Sequence, residues 1–266
     1  MGVRYGQNFL RDHNILKKIV SNLKSDEGVI LEIGCGDAAL SELLLDHCHC
    51  LHIIEIDVVC IEKTRQRLQE KATLEKKEII FHHQDVLTVN LRSILKQEVC
   101  IVANVPYYIS AKLMQWMVSQ RALISYAYLM FQKEVVQKFV ARPGQDLYTS
   151  LSVYAQYYFD MSYLFTVSAQ CFRPVPQVES AFMSLKKNHL QFSINEDLFF
   201  IFVRSCFWAR RKTLKRALLT SPYLTIEESC AQESDFKCYE KRRAETLTLN
   251  EFIHFFSVLE PFIKDA

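Results

Sequence analysis

Apolar residues recur along this chain with two periods. Ile15, Leu16, Ile19, Val20 and Leu23 return at helical spacing behind Asp12, a side chain able to cap a first turn, and predict an amphipathic helix. Short, nearly unbroken apolar runs follow at Gly28–Ile33, Leu51–Ile56, Ile79–His82 and Val99–Ala103, too brief for helices and bounded by polar residues. Helical patterns at Ala39–Leu45, Val58–Thr73 and Ser110–Gln120 alternate with them. Strands alternating with helices predict a parallel sheet covered on both faces. The alternation continues with a strand at Tyr126–Phe131, a helix at Gln132–Val140, and a run at Thr149–Tyr157 readable as helix or strand.

Beyond that point the pattern changes. Leu164–Val167 and Ser180–Leu185 flank Phe172-Arg173-Pro174-Val175-Pro176, which reads as an antiparallel hairpin joined by a stiff loop. From about Lys186 the strand signals stop, and Leu198–Leu219 and Leu249–Phe262 show helical periodicity. The expected architecture is an α/β doubly wound, Rossmann-like sheet with an antiparallel hairpin at one edge and a small all-α domain behind it. The expected division is 1–187 and 188–266. No internal repeat or low-complexity segment interrupts it.

Composition narrows the class. Half of the 266 residues are apolar and the net charge is +2, as expected for a folded, soluble chain. No apolar run approaches the roughly 18 residues of a membrane span. The N-terminus lacks a secretory pattern, and Gly6 stands where a myristoylation signal needs Ser or Thr, so a cytoplasmic protein is expected. Nine cysteines, none in a C-x-x-C pair, fit reduced thiols better than a disulfide framework. In His47-Cys48-His49-Cys50, strand alternation sends the two residue types to opposite faces, so no metal site is expected there.

Three strand ends carry candidate chemistry. The first strand runs into Gly34-Cys35-Gly36-Asp37-Ala38-Ala39 and then a helix, a junction where glycines let a ligand approach backbone amides. Alone it also satisfies the relaxed dinucleotide fingerprint, or is a turn without a ligand. Glu55 closes the second strand 21 residues after Gly34, where an acid can grip ribose hydroxyls, and Asp85 follows the third, within reach of an adenine amine. Together they outline an adenosine site along the carboxyl edge of the sheet.

The fourth strand ends in Asn104-Val105-Pro106-Tyr107-Tyr108. Pro106 cannot donate to a ladder and forces extended geometry on Val105, which makes a rigid corner. An exocyclic adenine amine is a weak nucleophile because its lone pair is delocalised into the ring. The Asn104 amide oxygen and the Val105 carbonyl can hold its hydrogens and favour pyramidal nitrogen, while Tyr107 stacks on the base. The matching alkyl donor is S-adenosylmethionine; a hydride-transfer enzyme has no use for such a corner. A cytosine C5 mechanism needs a thiol nucleophile, and neither Cys35 nor Cys100 is well placed for one.

These motifs resemble, in order and over nearly the whole chain, those of the ribosomal RNA adenine N6,N6-dimethyltransferases, the KsgA family. The matching blocks are Tyr5-Gly6-Gln7-Asn8-Phe9-Leu10, Glu32-Ile33-Gly34-Cys35-Gly36, Ile54-Glu55-Ile56-Asp57, Gln84-Asp85, Asn104-Val105-Pro106-Tyr107, Gln132-Lys133-Glu134-Val135, Phe172 through Ala181, and Arg210-Arg211-Lys212-Thr213. The resemblance implies a class I methyltransferase fold and a donor pocket built from Asn8, Leu10, Gly34, Glu55, Asp85 and Asn104. It also implies that Phe172 helps hold the target adenine. The implied product is a pair of adjacent dimethyladenosines near the 3′ end of small-subunit rRNA, made on a pre-30S-type particle by a monomer. Tyr108 departs from the family's usual Asn or Gln, and Ala38 replaces a third glycine.

RNA contact needs local positive charge. Arg210, Arg211, Lys212, Lys215 and Arg216 form one cluster and Lys241-Arg242-Arg243 another. Arg210, Arg211 and Lys212 are the candidate RNA contacts, against the alternative of a solvated helix face. Rival readings are a resistance-type methyltransferase of large-subunit rRNA and a non-catalytic RNA-binding factor on the same fold.

Overall fold

The computed structural model describes residues 8–24, 28–188 and 192–264; Tyr5, Gly6 and Gln7 of the opening block lie outside them. The chain divides into two compact units, Met1–Val136 with Asp160–Lys187, and Gln137–Phe159 with Asn188–Ala266.

In the first unit, strand β1 (Phe9–Leu10) leads to helix α1 (His13–Ser21), whose cap is Asp12: its carboxylate accepts from the Asn14 and Ile15 amides at 2.9 and 3.1 Å. Then come β2 (Val29–Ile33), α2 (Ala39–Leu44), β3 (Cys50–Glu55), α3 (Val58–Glu75) and β4 (Glu78–His83). They are followed by β5 (Val99–Asn104), α4 (Ser110–Ser119), β6 (Ile124–Gln132) and α5 (Lys133–Val140), whose residues from Gln137 on belong to the second unit. After helix α6 (Ser150–Tyr158), which belongs to the second unit, come β7 (Phe159–Val167), β8 (Phe172–Arg173) and β9 (Ser180–Lys187).

Seven strands form one sheet in the order β4-β3-β2-β5-β6-β9-β7. Strands β2 to β6 are mutually parallel and β9 runs antiparallel to β6, so the expected doubly wound sheet with an antiparallel edge is present. Both faces are covered, and Ile30, Leu31, Leu51, Ile53, Ile101 and Val102 are fully buried. The chain winds one way from β2 to β4 and the other way from β5 to β6. The carboxyl ends of β2 and β5 therefore flank the switch point, where doubly wound sheets hold their ligands.

A two-residue pairing escapes the sequence pattern. Strand β1 lies antiparallel to β8, with Phe9 opposite Arg173 and Leu10 opposite Phe172, and the Arg11 amide donates to the Cys171 carbonyl at 2.8 Å. It fixes the segment before α1 as an arm leading back to the sheet's carboxyl edge.

The second unit is helical and its core is aromatic. Helix α7 (Glu196–Trp208) is followed by α8 (Leu214–Leu219), β10 (Thr225–Ile226), α9 (Ser234–Tyr239), α10 (Leu249–Leu259) and β11 (Ile263–Lys264). Phe199, Phe202, Phe236, Phe252, Phe255 and Phe256 are almost wholly buried. Several meet edge-on or tilted, as aromatic quadrupoles prefer. The periodic run Leu198–Leu219 is two helices, because the chain turns over 209–213. The Lys212 amide donates to the Ala209 carbonyl at 2.7 Å, and Thr213 precedes α8 in extended geometry. Nor do strands stop at Lys186: β10 and β11 pair antiparallel.

The chain passes between the units at 136/137, 159/160 and 187/188, so residues 137–159 cluster with the helical segment 188–266. Tyr148 is fully buried there and its hydroxyl donates to the Leu247 carbonyl at 2.9 Å. The ambiguous run at Thr149–Tyr157 is helix α6, opened by a capping box between Thr149 and Ser152.

Candidate active site

Register alone brings the predicted residues together. Ile33 pairs with Ile54 on one side and Ala103 on the other, so Gly34, Glu55 and Asn104 follow side by side where the three strands end. Glu55 itself pairs with His83, and Asp85 lies two residues further on. These positions depend on strand length and pairing, which the apolar runs specify.

The turn after β2 is left-handed at alternate residues: Gly34 has φ 79°, Gly36 54° and Ala38 70°. At Gly36 a side chain would also be crowded, since a Cβ there would lie 3.0 Å from the Phe9 ring and the ring would have to give way. Ala38 occupies the third left-handed position with a fully buried methyl, at a backbone cost of about 1–2 kcal/mol.

Glu55 is buried, and its carboxylate is held from below. Oε1 accepts from the Ile56 and Asp57 amides, both at 2.9 Å, and Oε2 lies 3.4 Å from the Gly36 amide and 3.8 Å from the Cys35 thiol. The acid thus ties the glycine turn to the end of β3. Asp85 lies exposed at the rim and accepts from the Leu87 amide at 3.0 Å, which orients its carboxylate.

Beneath the turn, Glu32 is 1% exposed and its Oε2 has no hydrogen-bond partner. Burial pushes its pKa up to about 8, with the nearby Glu55 and Asp37 adding to the rise and the Ser41 hydroxyl opposing it. Glu32 is therefore mainly a neutral acid at pH 7. The Cys35 thiol is also pushed upward by burial, which removes it as a nucleophile.

The corner after β5 opens into the same space. A cavity is lined by Asn8, Phe9, Gly34, Gly36, Glu55, Ile56 and the whole stretch from Asn104 to Tyr108. A second, lined by Gly34, Glu55, Ile56, Asp85, Pro106 and Tyr108 among others, shares five of those residues with it. The two make one cleft along the carboxyl edge.

Within the corner each polar group is fixed. The Asn104 amide nitrogen donates to the Asn8 carbonyl at 3.1 Å, which assigns the amide its orientation and leaves Oδ1 as the acceptor. The Val105 amide donates to the Met130 carbonyl at 3.1 Å, so the corner stays registered to β6. Tyr107 is half-buried, and its hydroxyl shares a 2.7 Å hydrogen bond with the Ser180 hydroxyl. Burial raises the Tyr107 pKa, an effect this bond partly offsets, so the phenol stays neutral at pH 7.

Several predicted residues land elsewhere. Phe172 is 1% exposed and packs in the hydrophobic core with Leu10, to which its backbone is paired. It cannot offer a ring face to a base in this arrangement, and its part is to seat the arm. Leu10 likewise turns its side chain into the core and lines neither cavity. Asn8 and Phe9 line the cleft in its place. Arg11 forms an ion pair with Asp37, a further tie between arm and glycine turn.

Phe9 and Ser180 were missed as site residues. Phe9 has no chemistry to mark it, and Ser180 becomes meaningful only when β9 pairs with β6 and brings it opposite Gln132.

In the helical unit, Arg210 Nε pairs with Glu245 at 3.0 Å, and its guanidinium also reaches the Asp146 carbonyl. It is a structural tie, not a free cation. Arg211 and Lys212 are exposed. Among the described residues, no group of His, Cys, Asp and Glu is arranged to hold a metal ion.

The profile of the ribosomal RNA adenine dimethylases matches residues 2–260. The chain belongs to that family. A ribosomal RNA small subunit methyltransferase A of Fusobacterium nucleatum is 36% identical over 97% of this chain and 97% of its own length. One of Francisella tularensis subsp. novicida is 32% identical over 93% of each. Among solved structures, a dimethyladenosine transferase from Plasmodium falciparum aligns with TM-score 0.80 at 24% identity, covering 94% of this chain and 97% of that one. The 23S rRNA methyltransferase ErmE aligns with TM-score 0.71 at 21% identity, covering 95% and 100%. At those identities the structures show that this dimethylase shares their fold.

Proposed function

We propose that this dimethylase transfers methyl groups from S-adenosylmethionine to N6 of two adjacent adenosines near the 3′ end of small-subunit rRNA. The products are N6,N6-dimethyladenosines, formed in the cytoplasm on an assembling pre-30S-type particle by a monomer. What carries the reading is the Asn104 amide, held by the Asn8 carbonyl with its oxygen as acceptor, in a cleft that also contains Glu55 and the glycine turn.

The residues fit the donor. Left-handed glycines bare the backbone where a charged amino-acid portion would lie, Glu55 faces the cleft as a ribose acid, and Asp85 stands at the adenine end. Leu10, its side chain in the core and its backbone paired to Phe172, anchors the arm that carries Asn8. When bound, S-adenosylmethionine supplies an electrophilic methyl carbon on a sulfonium. The chain then has three tasks. Asn104 Oδ1 and the Val105 carbonyl accept the hydrogens of the target amine and favour its pyramidal geometry. Pro106, with φ −58° and ψ 129°, fixes where the corner points, and Tyr107 stacks on the base with its hydroxyl tethered to Ser180. No strong base is required, because the amine proton becomes acidic once nitrogen is alkylated. Arg211 and Lys212 of the helical unit contact RNA phosphates.

The names of the curated relatives favour small-subunit over large-subunit rRNA as acceptor. Incubation of undermethylated ribosomal subunits with methyl-labelled donor tests this choice. Label is expected in small-subunit rRNA; label confined to large-subunit rRNA would overturn it. Absence of donor binding in calorimetry would favour a non-catalytic module instead.

A further inference from the structure

The helical unit exposes an aromatic and cationic surface that the transfer chemistry does not use. Between Asp197 and Glu227 the chain has no acidic residue but six cations: Arg204, Arg210, Arg211, Lys212, Lys215 and Arg216. Glu245 pairs with Arg210 and Glu240 with Lys215. Arg211, Lys212 and Arg216 are exposed and have no ion-pair partner among the described residues.

Trp208, the last residue of α7, precedes Arg211 by three residues and is 50% exposed. Its ring meets Tyr223 edge-on, with centroids 5.5 Å apart and planes at 89°. Tyr223 is braced in turn by the Arg204 guanidinium, 3.8 Å from the ring centre. The turn carrying Tyr223 is tied to α7 by a 2.9 Å bond between the Ser221 and Ser205 hydroxyls, and the Tyr223 amide donates to Ser221 Oγ at 3.1 Å. The indole is thus a supported platform on a rigid helix end.

An exposed indole is an apolar surface that folding has left wet, while unpaired cations beside it attract a polyanion. The two requirements meet in one ligand class, an unpaired nucleotide in RNA, whose base stacks on an aromatic face while its phosphates engage nearby cations. We propose that the Trp208 surface binds an unpaired base of the substrate RNA, with Arg211, Lys212 and Arg216 on the flanking phosphates. An aliphatic polycarboxylate such as polyglutamate would match the cations but has no flat π-face for the indole. The proposal rests on the rRNA-methylating reading above and extends it to a second contact on the helical unit.

The test uses the full chain and tryptophan fluorescence. The chain has two tryptophans, and Trp116 is 6% exposed with its indole nitrogen bonded to the Val89 carbonyl, so a contact-dependent change reports on Trp208. The probes are a small-subunit 3′-terminal rRNA hairpin with an unpaired loop, a fully paired duplex of equal length, and a polyglutamate of matched charge. The hairpin is expected to quench emission strongly and the duplex weakly. Trp208→Phe should abolish quenching while preserving the melting temperature. Trp208→Ala should weaken hairpin binding about tenfold, read by anisotropy, with donor affinity unchanged.

Unquenched emission at saturating hairpin, wild-type affinity in Trp208→Ala, or equal quenching by polyglutamate would each overturn the proposal. Failure of the underlying reading looks different. If the wild-type protein methylates no rRNA yet the hairpin quenches Trp208, the methylation assignment falls and the surface stands.

Discussion

The two units of this dimethylase put their polar chemistry in opposite places. In the sheet unit, Gly34, Glu55 and Asn104 sit where buried strands end, and each is tied to backbone groups at that edge: Gly34 to the Ile54 carbonyl, Glu55 to the Ile56 and Asp57 amides, and Asn104 to the Asn8 carbonyl. In the helical unit the core is a cluster of phenylalanines, and the functional candidates lie outside it, on a helix end and the turn that follows. The first arrangement suits chemistry that fails with small misplacement. The second suits contact with a large polyanion, where charge acts over several ångströms and tolerates adjustment. Substitutions in the sheet unit should therefore change rate, donor binding or pH response, and those on the helical surface RNA affinity and its salt dependence.

The largest effect is expected at Asn104. Asn104→Ala should lower single-turnover methyl transfer about 10²–10³-fold, the scale seen when one preorganised polar group is removed from a reacting centre. Donor binding by calorimetry and the melting temperature should stay near wild type. A comparable loss from a surface substitution in the helical unit would break the contrast.

Next comes Glu32, whose pKa in the folded chain, about 8, lies above the ordinary carboxyl value of 4.5. The native state then holds a proton that the unfolded chain releases, so its contribution to stability is complete below pH 4.5 and is lost as pH rises through 8. Urea midpoints should fall between pH 5 and pH 8 by an amount reaching a few kcal/mol in stability. Glu32→Gln, which keeps a neutral polar group, should flatten that dependence.

Glu55→Ala should weaken donor binding about 10- to 100-fold, since a charged hydrogen-bonding group is lost and the amides of Ile56 and Asp57 lose their acceptor. The smallest effect belongs to the helical surface. Paired Arg211→Ala and Lys212→Ala changes should lower RNA affinity about tenfold at low salt and flatten its salt dependence by about one unit of slope per cation removed. Donor affinity should not move. An unchanged salt slope would show that these cations are merely solvated.

Much of the sheet unit was legible because its signals are local. Buried parallel strands appear as apolar runs, and a site built at their ends inherits their placement. Tertiary context decided the rest. The β1–β8 pair has two residues per strand, too few to leave a pattern, yet it buries Leu10 and Phe172 and brings Asn8 to Asn104. Phe172 accordingly read as a substrate contact and proved to be a core residue. The run from Leu198 to Leu219 stays apolar through the break at 209–213, so periodicity alone could not separate α7 from α8. Arg210 read as an RNA contact until Glu245 came to it from 35 residues away. In each case the deciding partner is distant in sequence.

The central claim is that the corner from Asn104 to Tyr107 grips an adenine amine and presents its nitrogen for alkylation. Nucleoside mass spectrometry tests it most directly, applied to undermethylated small-subunit rRNA incubated with the protein and S-adenosylmethionine. N6,N6-dimethyladenosine is expected, two residues per rRNA at full conversion. Methyl groups found only on ribose, on cytosine C5 or on adenine ring nitrogens would contradict it.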